Sequence, residues 1–172
     1  YASFAGAIIP PGAPWFAPLA WVVAILNARG VARLILRRWR ANEYFGFWLI
    51  GLAGVLMVLL ALALETWAAG RRYWSWPAGG AGSDVLGAPW WHFAGVWVVG
   101  VLAQFCAVPW LINKKPVAPP PAYHPLGVWL PLNLVLIAGA VPQGGWLAAG
   151  LGSTNLLGVG LAVFFGGKTA RL

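Results

Sequence analysis

The stretch FGFWLIGLAGVLMVLLALAL, residues 45–64, runs for twenty residues without a charged side chain. As a helix it would rise about 30 Å at roughly 1.5 Å per residue, which matches the hydrocarbon core of a bilayer. A backbone in lipid must satisfy its own hydrogen bonds, and a helix does so within one segment. The stretch therefore predicts a membrane-spanning helix.

The rest of the chain has the same character. Of its 172 residues 61% are hydrophobic and 8% charged, and the mean hydropathy is +0.78, more than a water-soluble domain of this size could bury. Further apolar runs lie at 13–28, 90–112, 126–141 and 146–165. The prediction is an all-α, polytopic integral membrane helix bundle of about five transmembrane helices, forming a single domain over 1–172.

Basic residues predict the orientation of this bundle. With five spans, nine of the eleven Lys and Arg residues fall on one side, in loops 29–43 and 113–124 and in the C-terminal tail. The positive-inside rule makes these segments cytoplasmic and the 70–89 loop external, in the inner membrane of a bacterium. Because the positive charges flank apolar runs, they indicate membrane topology rather than binding to nucleic acid.

Two further expectations concern the N-terminus and the single cysteine. The chain starts at Tyr1 and shows no signal-peptide pattern, so we expect a trimmed start and further helices before it. Cys106 lies in an apolar run and is expected to be a small buried hydrophobe.

The polar chemistry is concentrated in residues 64–95, LETWAAGRRYWSWPAGGAGSDVLGAPWWHFAG. Glu65 ends a span near the outer boundary, where it either pairs with Arg71, Arg72 or the loop backbone, or keeps a proton to donate. Asp84, in a glycine-rich loop, either caps a turn or takes part in a site. His92 is a boundary histidine, part of a reaction site, or the axial ligand of a chlorophyll-type magnesium.

Aromatic residues surround these three side chains. Tyr73, Trp74, Trp76, Trp90 and Trp91 stand at the two ends of the external loop. They are an interfacial aromatic belt, or they line a site for a flat conjugated ligand or a cation. The sequence contains no phosphate loop and no nucleophile elbow. It also contains no metal-binding motif, so the magnesium alternative depends on His92 alone.

A small-residue stripe marks the last span. Gly158, Ala162 and Gly166 recur at every fourth residue, a spacing that lets membrane helices approach closely. The stripe serves internal packing or contact with other subunits of a membrane complex.

Three segments, residues 62–77, 85–100 and 109–117, resemble the membrane family of carotenoid biosynthesis proteins, which includes carotenoid hydratases. That family has an acidic residue at a span end, a Tyr-Trp-x-Trp element, a Gly-x-Pro and an aromatic-glycine segment. The matching residues here are Glu65, Tyr73, Trp74, Trp76, Gly87, Pro89, Phe93 and Gly95. His92 stands where the family usually has Asn.

The resemblance implies that water is added across the terminal double bond of an acyclic carotenoid end. Glu65 would donate the proton, and His92 or Asp84 would orient water. The aromatic residues would line the carotenoid site, and no cofactor would be required.

A second interpretation is a non-catalytic subunit of a photosynthetic membrane complex that binds carotenoid or bacteriochlorophyll. It is favoured by His92 and by the tryptophan content. A transporter would carry more polar groups at mid-membrane than the clear spans show.

Overall fold

The computed structural model describes residues 8–9, 13–14, 16–70, 84–85, 88–111 and 122–168. These contain five α-helices: α1 (Phe16–Ile35), α2 (Phe45–Gly70), α3 (Trp90–Leu111), α4 (His124–Ala140) and α5 (Trp146–Lys168). All except α4 are long and apolar enough to cross a membrane. With 17 residues, α4 is about 25 Å long, at the short end of the range for a span. The all-α membrane bundle is therefore confirmed.

Helix α2 lies at the centre of the bundle and packs against each of the other four helices. Its side chains pack with those of its neighbours in one apolar core that includes Ala53, Met57 and the fully buried Trp129 of α4. This central position explains why the most hydrophobic segment of the chain is also its most buried span.

The predicted boundary of the first span was wrong. Helix α1 continues past Ala28 to Ile35, and a 3-10 turn follows over Leu36–Trp39, so the 29–43 segment is mostly helical. The exposed Arg33 can extend toward the aqueous interface, while Arg37 donates to the Tyr123 hydroxyl (2.9 Å) and to the Val163 carbonyl (2.8 Å). Arg33 and Arg37 extend in this way, whereas Arg29 is buried within α1, so arginine does not end this span.

Helices α4 and α5 form a tight antiparallel pair. The 3-10 turn Val141–Gln143 ends at Gly144, whose φ of 72° lies in the left-handed region that favours glycine. The next amide, of Gly145, donates to the Ala140 carbonyl (3.0 Å) and closes the turn. The chain thereby reverses direction within a few residues.

A buried polar pair joins these two helices. Asn155 Nδ2 donates to Asn133 Oδ1 (3.0 Å), and Asn133 Nδ2 donates to the Trp129 carbonyl (2.8 Å). Both asparagines are buried, and neither was singled out from the sequence. Side-chain amides inside a membrane bundle commonly bond across helices in this way.

Short β-ladders precede the N-terminal ends of two helices. Strands β1 (Ile8–Ile9) and β2 (Ala13–Pro14) pair before α1. Strands β3 (Asp84–Val85) and β4 (Ala88–Pro89) pair immediately before α3, with Asp84 opposite Pro89. The second ladder brings the backbone of Asp84 back to the first turn of α3.

One expectation about a single residue was wrong, and the small-residue stripe divides into two environments. Cys106 is exposed on α3 rather than buried, so it faces the surroundings of the bundle. The small-residue stripe is not one continuous face, since Gly158 is exposed whereas Gly166 is buried. A Cβ at Gly166 would lie 3.0 Å from the Ile35 carbonyl, so Gly166 serves internal packing against α1.

Candidate functional site

Glu65 and His92 form an ion-pair contact where the C-terminal end of α2 meets the N-terminal end of α3. Oε1 of Glu65 lies 2.9 Å from Nε2 of His92. The glutamate side chain is 6% exposed and the histidine side chain 19%. A buried carboxylate needs such a partner, because moving an unpaired charge out of water costs roughly several kcal/mol per ion.

The packing of α2 against α3 produces this contact. Glu65 lies in the last two turns of α2, and His92 lies in the first turn of α3, so the antiparallel helices bring them to the same level. The partner of Glu65 is thus a residue that the sequence analysis had treated as a separate candidate. The alternative partners Arg71 and Arg72 lie outside the described residues.

An aromatic cluster supports the histidine. The rings of His92 and Phe93 meet edge to face with centroids 5.2 Å apart. Phe93 is buried with Ala61 and Ala88, and Trp21 of α1 packs against this group. The imidazole is therefore held between its ion partner and an apolar cluster.

His92 also lines an apolar groove of about 330 Å³. The groove lies between α1 and α3, which flank α2 and hardly touch each other. Its lining residues are Trp21, Ile25, Met57, Trp91, His92, Gly95, Val96, Val99 and Gly100. Among its described lining residues His92 is the ionisable one, and we call the part of the groove beside it the head. The groove therefore suits an apolar chain whose end reaches an ionisable group.

The two members of the pair occupy different positions relative to this groove. His92 lines it, whereas Glu65 contacts the His92 ring and is not among the described lining residues. His92 is therefore the member of the pair that a molecule in the groove would contact.

The predicted aromatic residues occupy different positions relative to the groove. Trp91 lines the groove, whereas the neighbouring Trp90 is 55% exposed and does not. Tyr73, Trp74 and Trp76 lie outside the described residues. For Asp84 the structure describes only the backbone, in strand β3.

The sequence analysis missed Trp21. It lies in α1, far along the chain from the 64–95 window, yet it lines the same groove as His92. A tryptophan near the outer end of a predicted span was the available signal, but belt residues share that position.

The described side chains offer little for a metal. No group of three His, Cys, Asp or Glu side chains that could hold a metal ion occurs among them. A chlorophyll-type magnesium would have to take His92, whose Nε2 already contacts Glu65. A carboxylate that holds one ring nitrogen is compatible with proton transfer and with metal ligation through the other nitrogen, Nδ1.

A comparison with protein families identifies the relatives of the chain. The family model described as carotenoid biosynthesis protein matches residues 1–166. The chain belongs to the carotenoid biosynthesis protein family. No curated protein and no solved structure matches it significantly.

Membership of the carotenoid biosynthesis protein family, together with the apolar helices, makes this chain a carotenoid-related integral membrane protein. The outward faces of its helices carry large apolar side chains, among them Leu26, Val99 and Leu157. These faces contact lipid, the solvent in which carotenoids dissolve. A groove between two such helices is accessible to a hydrophobic molecule from within the bilayer.

Proposed function

We propose that the protein is a carotenoid hydratase that adds water to the terminal double bond of an acyclic carotenoid end. The observation that carries this proposal is the Glu65–His92 pair at the head of an apolar groove. Family membership supplies the substrate class, and the groove supplies a place where an apolar chain end meets a proton-transferring group.

The chemistry is an acid-catalysed addition. A proton from the pair adds to the less substituted carbon of the trisubstituted double bond, and the π electrons form the new C–H bond. The tertiary cation is captured by water, which forms the C–O bond and then loses a proton. That proton returns to the pair, so the pair is regenerated and one water is consumed.

The positions of the residues give each of them a different role in the proposed reaction. His92 lines the groove and therefore transfers the proton, acting as general acid and then as base. Glu65 orients the imidazole and compensates the positive charge on the protonated ring. Trp91 lies along the polyene end, and Asp84, whose strand pairs with the strand that precedes α3, is assigned to orienting water.

The test is product formation from an acyclic carotenoid such as lycopene in membranes containing the protein. The variant Glu65→Gln is compared with Glu43→Gln, because Glu43 is exposed in the turn between α1 and α2. We expect Glu65→Gln to lower hydration by about 100-fold or more, with folding and carotenoid binding retained. Glu43→Gln should behave as wild type. Equal product from Glu65→Gln and wild type would exclude a role for Glu65.

The same assay distinguishes the alternative function, a pigment-binding subunit. The exposed tryptophans and the lipid-accessible groove would suit a permanently held carotenoid. Stoichiometric pigment that copurifies with the protein and is not hydrated would support that alternative. Hydroxylated product without retained pigment would support the hydratase.

A further inference from the structure

Trp21 is the aromatic residue of α1 that reaches the head of the groove. It is partly buried and packs against the cluster of Ala61, Ala88 and Phe93, next to His92 along α3. It also lines the groove. The structure thus places an indole from the first helix at the level of the ion pair.

The indole of Trp21 and that of Trp91 come from different helices. Trp91 belongs to the first turn of α3, whereas Trp21 belongs to α1 on the other side of the groove. A chain end inserted between α1 and α3 would therefore have an aromatic residue on each side. Among the described residues that line the groove, His92 is the ionisable one.

We propose that Trp21 is a further catalytic residue, whose indole contacts the carotenoid end and stabilises the cation formed there. This inference rests on the proposed hydratase function. The negative face of an indole attracts a cation, and the attraction grows where water is excluded. Trp21 forms no covalent bond in the step; it lowers the energy of the cation between proton transfer and capture by water.

The test compares Trp21→Phe and Trp21→Leu with Trp48→Leu, because Trp48 is 65% exposed and is not a groove residue. Binding is measured from the absorption shift of lycopene, and turnover from the hydroxylated product. We expect Trp21→Leu to lower kcat about tenfold and Trp21→Phe to lower it less, with binding within about twofold of wild type. Trp48→Leu should match wild type.

A fluorinated tryptophan introduced only at position 21 separates charge stabilisation from packing. Fluorine withdraws electron density from the ring with little change of shape, so kcat should fall stepwise as fluorines are added. A packing role would leave kcat unchanged across this series. Weaker binding with an unchanged kcat would also overturn the inference.

The two proposals fail in different ways. If wild-type protein forms no hydroxylated product, the hydratase function fails and this inference falls with it. If wild type forms product and Trp21→Leu turns over like Trp48→Leu, only the role of Trp21 fails.

Discussion

At the scale of single residues, the arrangement of Glu65 and His92 decides how the site can work. The carboxyl group is buried and contacts the imidazole, and the imidazole lines the groove. A carboxylate in this position can hold the ring and balance its charge without contacting the substrate. The resemblance had assigned proton donation to Glu65, and the geometry favours His92 for the transfer itself.

His92→Gln tests this assignment, because an amide can still donate to Glu65 but cannot carry a proton. We expect hydration to fall about 100-fold or more while lycopene binding persists. The control is His124→Gln, which changes an exposed histidine at the start of α4. Wild-type turnover in His92→Gln would return the transfer step to Glu65.

The asparagine pair between α4 and α5 leads to a prediction about stability. Asn155→Leu leaves the buried Oδ1 of Asn133 without its donor and should destabilise the bundle by about 1 kcal/mol. The double variant Asn133→Leu/Asn155→Leu should lose less than the sum of the single variants. Unfolding in detergent micelles measures both quantities, and strictly additive losses would show that the two side chains are not coupled.

At the scale of the helices, close crossings depend on small residues. A Cβ at Gly30 would lie 2.5 Å from Cγ of Pro125, and one at Gly139 would overlap the ring of Trp67. The first contact joins α1 to α4, and the second joins α4 to α2. These glycines let α4 approach α1 and α2 closely.

The last helix provides a matched pair of substitutions. Gly166→Leu would force α5 away from the carbonyls of α1, whereas a side chain at Gly158 meets nothing within 4 Å. We expect Gly166→Leu to lower the thermal stability of the purified protein and Gly158→Leu to leave it unchanged. Fluorescence-detected size exclusion after heating checks this expectation. Destabilisation by Gly158→Leu would indicate that this face is covered in the native protein, as in a complex.

At the scale of the whole molecule, the distribution of charge predicts how the bundle sits in the membrane. Arg33, Arg37 and Arg38 lie near the inner end of α1, at the same end of the bundle as the turn before α2. The positive-inside rule makes this end cytoplasmic, which leaves the Glu65–His92 pair toward the outer surface.

Cysteine labelling tests this orientation. In a Cys106→Ser background, Glu43→Cys should react with an impermeant maleimide only after the cell membrane is opened. Pro142→Cys, exposed in the turn between α4 and α5, should react in intact cells. The reverse pattern would show the opposite orientation.

Much of this architecture could be predicted from the sequence. The uncharged run at 45–64 predicts a span because no other backbone arrangement satisfies its hydrogen bonds in lipid. The end of α1 could not be predicted, because arginine residues occur both in the last turns of a spanning helix and in the loop that follows it. Asn133 and Asn155 went unnoticed because an isolated amide in an apolar run has no distinguishing spacing.

The sequence by itself determined that this chain is a membrane bundle of apolar helices, that it belongs to a carotenoid family, and that Glu65 and His92 are candidates. Only the tertiary structure decided that these two residues meet, that His92 lines the groove, and that Trp21 lines the same groove. Hydrophobicity marks which segments enter the bilayer, but in these helices apolar residues cover every face. Which side chains meet is set by how each helix is rotated and packed against its neighbours.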